Sequence, residues 1–192
     1  MTALDKGTTA SVFVTNVLNG TVAAGVGTVT MGTVLRIDLS IAGGKPPQEI
    51  GRTIIGSGFP ERTDSMALVI GPTGVGLGAD GTLYVADTLG NRIAAISNAA
   101  TLTSGGTVTT LIGGALNGPL GLAIAPNGNI LTVNSGDGNM VETTPKGVQV
   151  TVKFVDLNGP PGAGDLFELA IGANTAGVYF VNDGTNTLDL LH

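Results

Sequence analysis

The chain has 192 residues, 42% of them apolar and 11% charged, with 8 basic against 14 acidic side chains. That is enough for one domain with a core. The acidic balance, with no basic cluster, disfavours nucleic acid as a partner. With no cysteine there are no disulfides or thiolate metal sites, and the redox compartment stays open. The opening "MTALDKGTTA" has no signal-peptide organisation, and no window approaches about 18 unbroken apolar residues, so no membrane insertion is expected.

In chain order, the first recognisable unit is "VFVTNVLNGTV" (12–22), followed by an uncharged insertion, "GTVAAGVGTVTMGT" (20–33), between the second and third expected strands. The insertion reads equally as a loop lining a binding face and as a floppy hairpin. "IAGGKPPQEIGRT" (41–53) reads as a connector before an outer strand. Residues 71–93, "GPTGVGLGADGTLYVADTLGNRI", then align without a gap on residues 118–139, with Pro72 falling on Pro119, Gly74 on Gly121 and Asp87 on Asn134, 47 residues later. The next step gives "LAIGAN" (169–174) and, after one inserted residue, "VYFVNDGTNTL" (178–188). Residues 12–22 match 83–93 at an offset of 71, one period plus the insertion.

Each copy reads as strands. "GLAIA" and "NILTV" are short apolar runs joined by Asn-Gly or Asp-Gly, dipeptides that tolerate the positive φ angles of tight hairpins. A third run follows ("RIAAIS", "NMVETT") and a fourth precedes the next Gly-Pro ("TVTTLIGG"). Four strands per unit predict an all-β propeller of antiparallel blades. Small residues at Gly76, Gly78, Ala123, Ala125 and Gly172 suit innermost strands converging on an axis. The blades are expected at about 1–67, 68–114, 115–163 and 164–192, the last incomplete.

These segments resemble NHL repeats, the blade unit of NHL-type β-propellers, over most of residues 72–191 and, with fewer matches, 2–22. The resemblance implies fold more than function, because such propellers serve as enzymes, receptors and scaffolds. With no spare strand at either terminus to complete a blade, the expectation is a C-terminal part of a longer propeller, with a closed four-bladed ring as the alternative. An open arc would expose apolar blade faces, so self-association through open blade edges is expected.

The recurring polar column Asn16, Asp87, Asn134 and Asn182 ends each second strand. Short polar side chains there can accept backbone N–H bonds and tie the following turn, or they can ring a ligand-binding face. His192 is the single histidine and the last residue, so neither a Ser-His-Asp triad nor a histidine metal cluster can be built. "GLGADG" (76–81) matches G-x-G-x-x-G but leads into a strand, not a helix, and reads as strand and hairpin glycines. "NSGDGN" (134–139) and "NDGTN" (182–186) faintly resemble calcium loops without the full ligand set or a closing Glu, so no cofactor is expected and calcium is the one ion considered. Phe13, Tyr84 and Tyr179 occupy matching places in the second strand and suit interblade packing.

Gluconolactonase-like propellers hold a divalent metal on Glu, Asn and Asp side chains near the inner strand starts. The matching positions here are Thr73, Leu120 and Phe167, two of them apolar. The lyase members of the NHL group use histidine ligands, which this sequence lacks. The function expected is thus a non-catalytic binding or scaffold module for a protein or small ligand. The alternative is part of a lactonase-like hydrolase with catalytic residues upstream. Resemblance and the Lys-poor composition imply a bacterial secreted or periplasmic setting.

Overall fold

Asp80-Gly81 and Asn127-Gly128 both turn the chain, with a geometry tighter in its demands than expected. Only the glycines take a left-handed φ, +81° at Gly81 and +84° at Gly128. The Asp80 and Asn127 carboxyl and amide oxygens accept the N–H groups of Thr82 (3.0 Å) and Asn129 (2.9 Å), which holds each preceding residue at an ordinary negative φ. The Gly81 N–H then donates to the Gly78 carbonyl and the Gly128 N–H to that of Ala125. These are type I turns closed by a left-handed glycine, not turns with two positive φ angles.

The structure is a computed structural model that describes residues 1–65, 67–157, 165–172 and 177–192. Its strands form four antiparallel sheets. The first contains β1 (Thr2–Asp5), β2 (Thr9–Asn16), β3 (Val29–Ser40), β4 (Gln48–Asp64) and β5 (Leu68–Ile70). The second contains β6 (Pro72–Leu77), β7 (Leu83–Asp87), β8 (Arg92–Ile96) and β9 (Val108–Ile112). The third contains β10 (Pro119–Ile124), β11 (Ile130–Asn134), β12 (Asn139–Thr143) and β13 (Gln149–Phe154). The fourth contains β14 (Leu166–Ile171), β15 (Val178–Asn182) and β16 (Thr187–Leu191). Strands follow chain order within every sheet, and the sheets are arranged as the four blades of a β-propeller. The turn expected after Gly172 lies outside the described residues.

The insertion at 20–33 is neither open loop nor hairpin. It folds as the short helix α1 (Thr21–Ala24) and then feeds into β3. The Thr63 hydroxyl reaches back to the Gly25 carbonyl, fastening the insertion to β4. Within "GLGADG", Gly76 lies in β6, Gly78 just beyond it and Gly81 in the turn before β7.

Core side chains sit between sheets. Phe13, Val34, Ile55 and Phe59 of the first sheet pack on Val75, Leu83, Val85 and Ile96 of the second. Tyr84, Ala86 and Ile93 pack on Leu122, Ile130 and Val141 of the third. Leu131, Val133 and Met140 pack on Leu166, Leu169 and Phe180 of the fourth. Burying such side chains contributes roughly 1.5–3 kcal/mol each. Among the described residues, the fourth sheet has no comparable packing on the first.

Two glycines set how closely the inner strands approach. A Cβ on Gly74 would come within 2.6 Å of the Leu120 carbonyl oxygen, and one on Gly121 would strike the Phe167 carbonyl oxygen. Their backbones lie directly against the next inner strand, which no side chain permits. The third place in this series, 47 residues after Gly121, is Glu168.

Candidate functional site

The starts of β6, β10 and β14 converge, and a cavity of about 230 Å³ opens between them. Its walls include Val69, Ile70, Leu120 and Phe167 on the apolar side and Thr73, Thr88, Ser135 and Glu168 on the polar side. Thr73, Leu120 and Phe167, the three positions singled out in the sequence, thus meet in one place. A second opening along the same axis is lined by the repeat triplets Val75 to Leu77, Leu122 to Ile124 and Leu169 to Ile171, together with Met1 and Thr2.

The hydroxyls around the cavity are already committed as donors. Thr73 donates to the Leu120 carbonyl at 2.8 Å, Thr88 to the Pro119 carbonyl at 2.8 Å and Ser135 to the Gly118 carbonyl at 2.8 Å. Two of these bonds cross from the second sheet to the third. Each hydroxyl oxygen keeps lone pairs for a further hydrogen bond. Glu168, exposed, borders the same cavity, and the hydroxyl oxygens on the wall therefore offer acceptors above an apolar floor. Glu168 replaces the glycine of the two preceding repeats, so a charged residue stands where backbone meets backbone elsewhere.

The polar column does not line this cavity. Asp87 is fully buried; its Oδ1 accepts the Gly90 N–H (3.1 Å) and its Oδ2 takes Arg92 Nε at 2.7 Å. Asn16 accepts the Leu18 N–H at 3.2 Å, and Asn182 that of Thr185 at 3.3 Å. Asn134 instead donates to the Ala115 carbonyl at 2.9 Å and to Asp137 at 3.1 Å. In three of the four places the side chain accepts a backbone N–H from the following turn. The residues that reach the cavity are the next ones along, Thr88 and Ser135.

The positions that correspond to the metal ligands of gluconolactonase-like propellers do not fit a divalent ion. The Leu120 and Phe167 side chains carry no ligand atom, and the one neutral hydroxyl oxygen of Thr73 falls far short of the oxygen ligands such an ion takes. Among the described residues, no three His, Cys, Asp or Glu side chains converge as a metal group. In the "NSGDGN" loop, Asp137 accepts the Asn139 N–H at 3.1 Å as well as the Asn134 amide, so its carboxylate serves the turn.

Sequence reading passed over two charged groups inside the molecule. Arg36 on β3 is 8% exposed, donates to Asp38 at 3.0 Å and reaches the Ala99 and Leu102 carbonyls of the second sheet at 3.1 and 2.9 Å. Burial alone would raise the Asp38 pKa, but the Ser11 hydroxyl and the Arg36 hydrogen bond and charge outweigh it and lower it. Glu61 on β4 is fully buried, and neither carboxylate oxygen has a hydrogen-bond partner. Burial pushes its pKa up. Its Cβ lies 3.0 Å from where a Cβ on Gly71 would stand, next to cavity residue Ile70. The period of 47 offered no signal for either group, because the first unit departs from it.

No protein-family model matches the chain, and no curated protein matches it in sequence. Solved structures do match. A catalytically inactive virginiamycin B lyase from Staphylococcus aureus is 17% identical with a TM-score of 0.52, over 86% of this chain and 51% of that one. A gluconolactonase from Xanthomonas campestris is 15% identical with a TM-score of 0.50, over 80% of this chain and 42% of that one. A chain in a nidogen/laminin complex is 15% identical with a TM-score of 0.58, over 85% of this chain and 56% of that one. The chain thus spans about half the length of these proteins. At such identities the likeness establishes the fold, a β-propeller of the type these proteins share.

Proposed function

We propose that this chain is a binding module whose axial cavity takes a small molecule with an apolar body and a hydrogen-bond-donating head, an ammonium or alcohol. The supporting observation is the donor bookkeeping of the wall: the Thr73, Thr88 and Ser135 protons are committed to carbonyls, and Glu168 adds a carboxylate. Such a wall complements donors and repels anions. Leu120, Phe167, Val69 and Ile70 supply the apolar contact typical of small-molecule sites.

Isothermal calorimetry with hexylamine, hexanol and hexanoate tests this. The expected order of affinity is amine, then alcohol, then carboxylate, with Glu168→Gln erasing the amine's advantage, about tenfold at this exposed position. Hexanoate binding as tightly as hexylamine would refute the reading.

The likeness to gluconolactonase favours a second reading, a lactonase-type propeller in which this chain supplies part of the ring and other sequence supplies the metal ligands. Calcium, zinc or manganese raising the melting temperature of this chain would favour it, since a ligand that binds the folded state stabilises it.

A further inference from the structure

Along the second strand of each blade, alternate side chains serve alternate neighbours. On β7, Leu83 and Val85 pack on the first sheet, while Tyr84 and Ala86 pack on the third. On β11, the repeat partners of Tyr84 and Ala86, Leu131 and Val133, pack on the fourth sheet. The next partners are Tyr179 and Val181 on β15. They pair with Leu190 and Leu188, and Leu188 is 66% exposed. This face of the fourth sheet is the counterpart of two faces that are covered elsewhere.

The first sheet ends in the complementary half. Val12 and Val14 stand in the places of Leu83 and Val85, which the first sheet covers completely. Val12 pairs with Ile37, Val14 with Leu35, and Leu35 with Ile54, which is 51% exposed. One end of the chain carries the outgoing half of an interface that the molecule forms three times, and the other end carries the incoming half.

We infer that a second copy of this chain covers both faces, the β15–β16 face of each copy packing on the β2–β4 face of the other to close an eight-bladed ring. Within one chain these two faces do not meet: among the described residues the fourth sheet makes no packing on the first comparable to that between successive sheets. The two halves are complementary, not identical, so the contact is head-to-tail and a two-fold axis along the propeller satisfies both at once. Two copies supply about the length of one of the solved propellers it resembles, of which this chain spans 51% and 56%. Eight blades lie within the usual range of about four to eight.

Light scattering on the purified chain decides this, with an expected mass twice the 19.0 kDa of one chain. Ile54→Asp and Leu188→Asp alter opposite faces at exposed positions, so each variant should keep a cooperative melt while association weakens at least about tenfold. Mixing the two variants should restore part of the dimer, because each brings the intact half that the other lacks. A wild-type monomer at micromolar concentration would overturn the inference, as would open filaments. Dissociation by only one of the two substitutions would also overturn it, because that points to a face meeting its own copy. None of these outcomes depends on what the axial cavity binds.

Discussion

The second and third sheets share strand order and the register shift after Pro72 and Pro119, whereas the fourth departs at one decisive place: Gly74 and Gly121 are followed by Glu168. In the first two cases the backbone of one inner strand lies against the next, and any side chain would collide with a carbonyl group. In the third an exposed, charged residue borders the cavity. Where the pattern is kept it serves packing, and where it breaks a chemical group appears at the axis. The first sheet departs more broadly, through an insertion that folds as a helix and a 17-residue strand that carries the unpartnered Glu61.

The most forceful way to break this contrast is Gly121→Val. The new side chain meets the Phe167 carbonyl, so the third and fourth sheets must separate, at a cost of about 3 kcal/mol or more. A thermal melt should fall by roughly 6–12 °C for a chain of this size. Glu168→Gly, which restores the pattern, should by contrast leave the melt nearly unchanged.

A smaller effect separates the polar column from the cavity. Asp87→Ala removes the acceptor of the Gly90 N–H and the partner of Arg92, which should destabilise by about 1–3 kcal/mol while leaving hexylamine affinity intact. Chemical denaturation and calorimetry on the same variant give both readings. Lost affinity with an unchanged melt would move the column into the binding site.

The smallest expected effect concerns Glu61. Its folded pKa is raised, so the folded protein holds a proton that the unfolded chain has released once pH climbs past the ordinary carboxylate value of 4.5. Its contribution therefore favours folding at low pH and becomes unfavourable as pH rises through that window. Glu61→Gln should raise the melting temperature by roughly 2–4 °C at neutral pH and change little below the carboxylate range. An equal gain at both pH values would mean that charge burial is not the cause.

The repeat of 47 made the blades legible, because Pro72 and Pro119, Gly74 and Gly121, and the two turn glycines recur in phase. It also brought Thr73, Leu120 and Phe167 to one place in advance of any coordinates. Glu168 stood in plain view as the odd member of a glycine series, yet its meaning needs the knowledge that those glycines touch the neighbouring backbone. Arg36 and Glu61 were invisible for a different reason. They lie in the first unit, where alternation along β3 and β4 is interrupted by register shifts between Val34 and Leu35 and between Asp38 and Leu39, so which face a charge occupies cannot be counted off. The turns were half legible: sequence marked where they fall, but the Asx hydrogen bonds decided that one residue, not two, takes the left-handed conformation.

The packing of each sheet on its sequence neighbours has a consequence for how such a chain changes over time. Because the core side chains of each sheet lie against its sequence neighbours, a duplicated stretch of 47 residues arrives with one apolar face for its predecessor and another for its successor. A unit can be gained or lost without redesign of the remainder. The two central blades share strand order and turn positions but few side chains, so what such copying preserves is the pair of packing faces and not the residues on them.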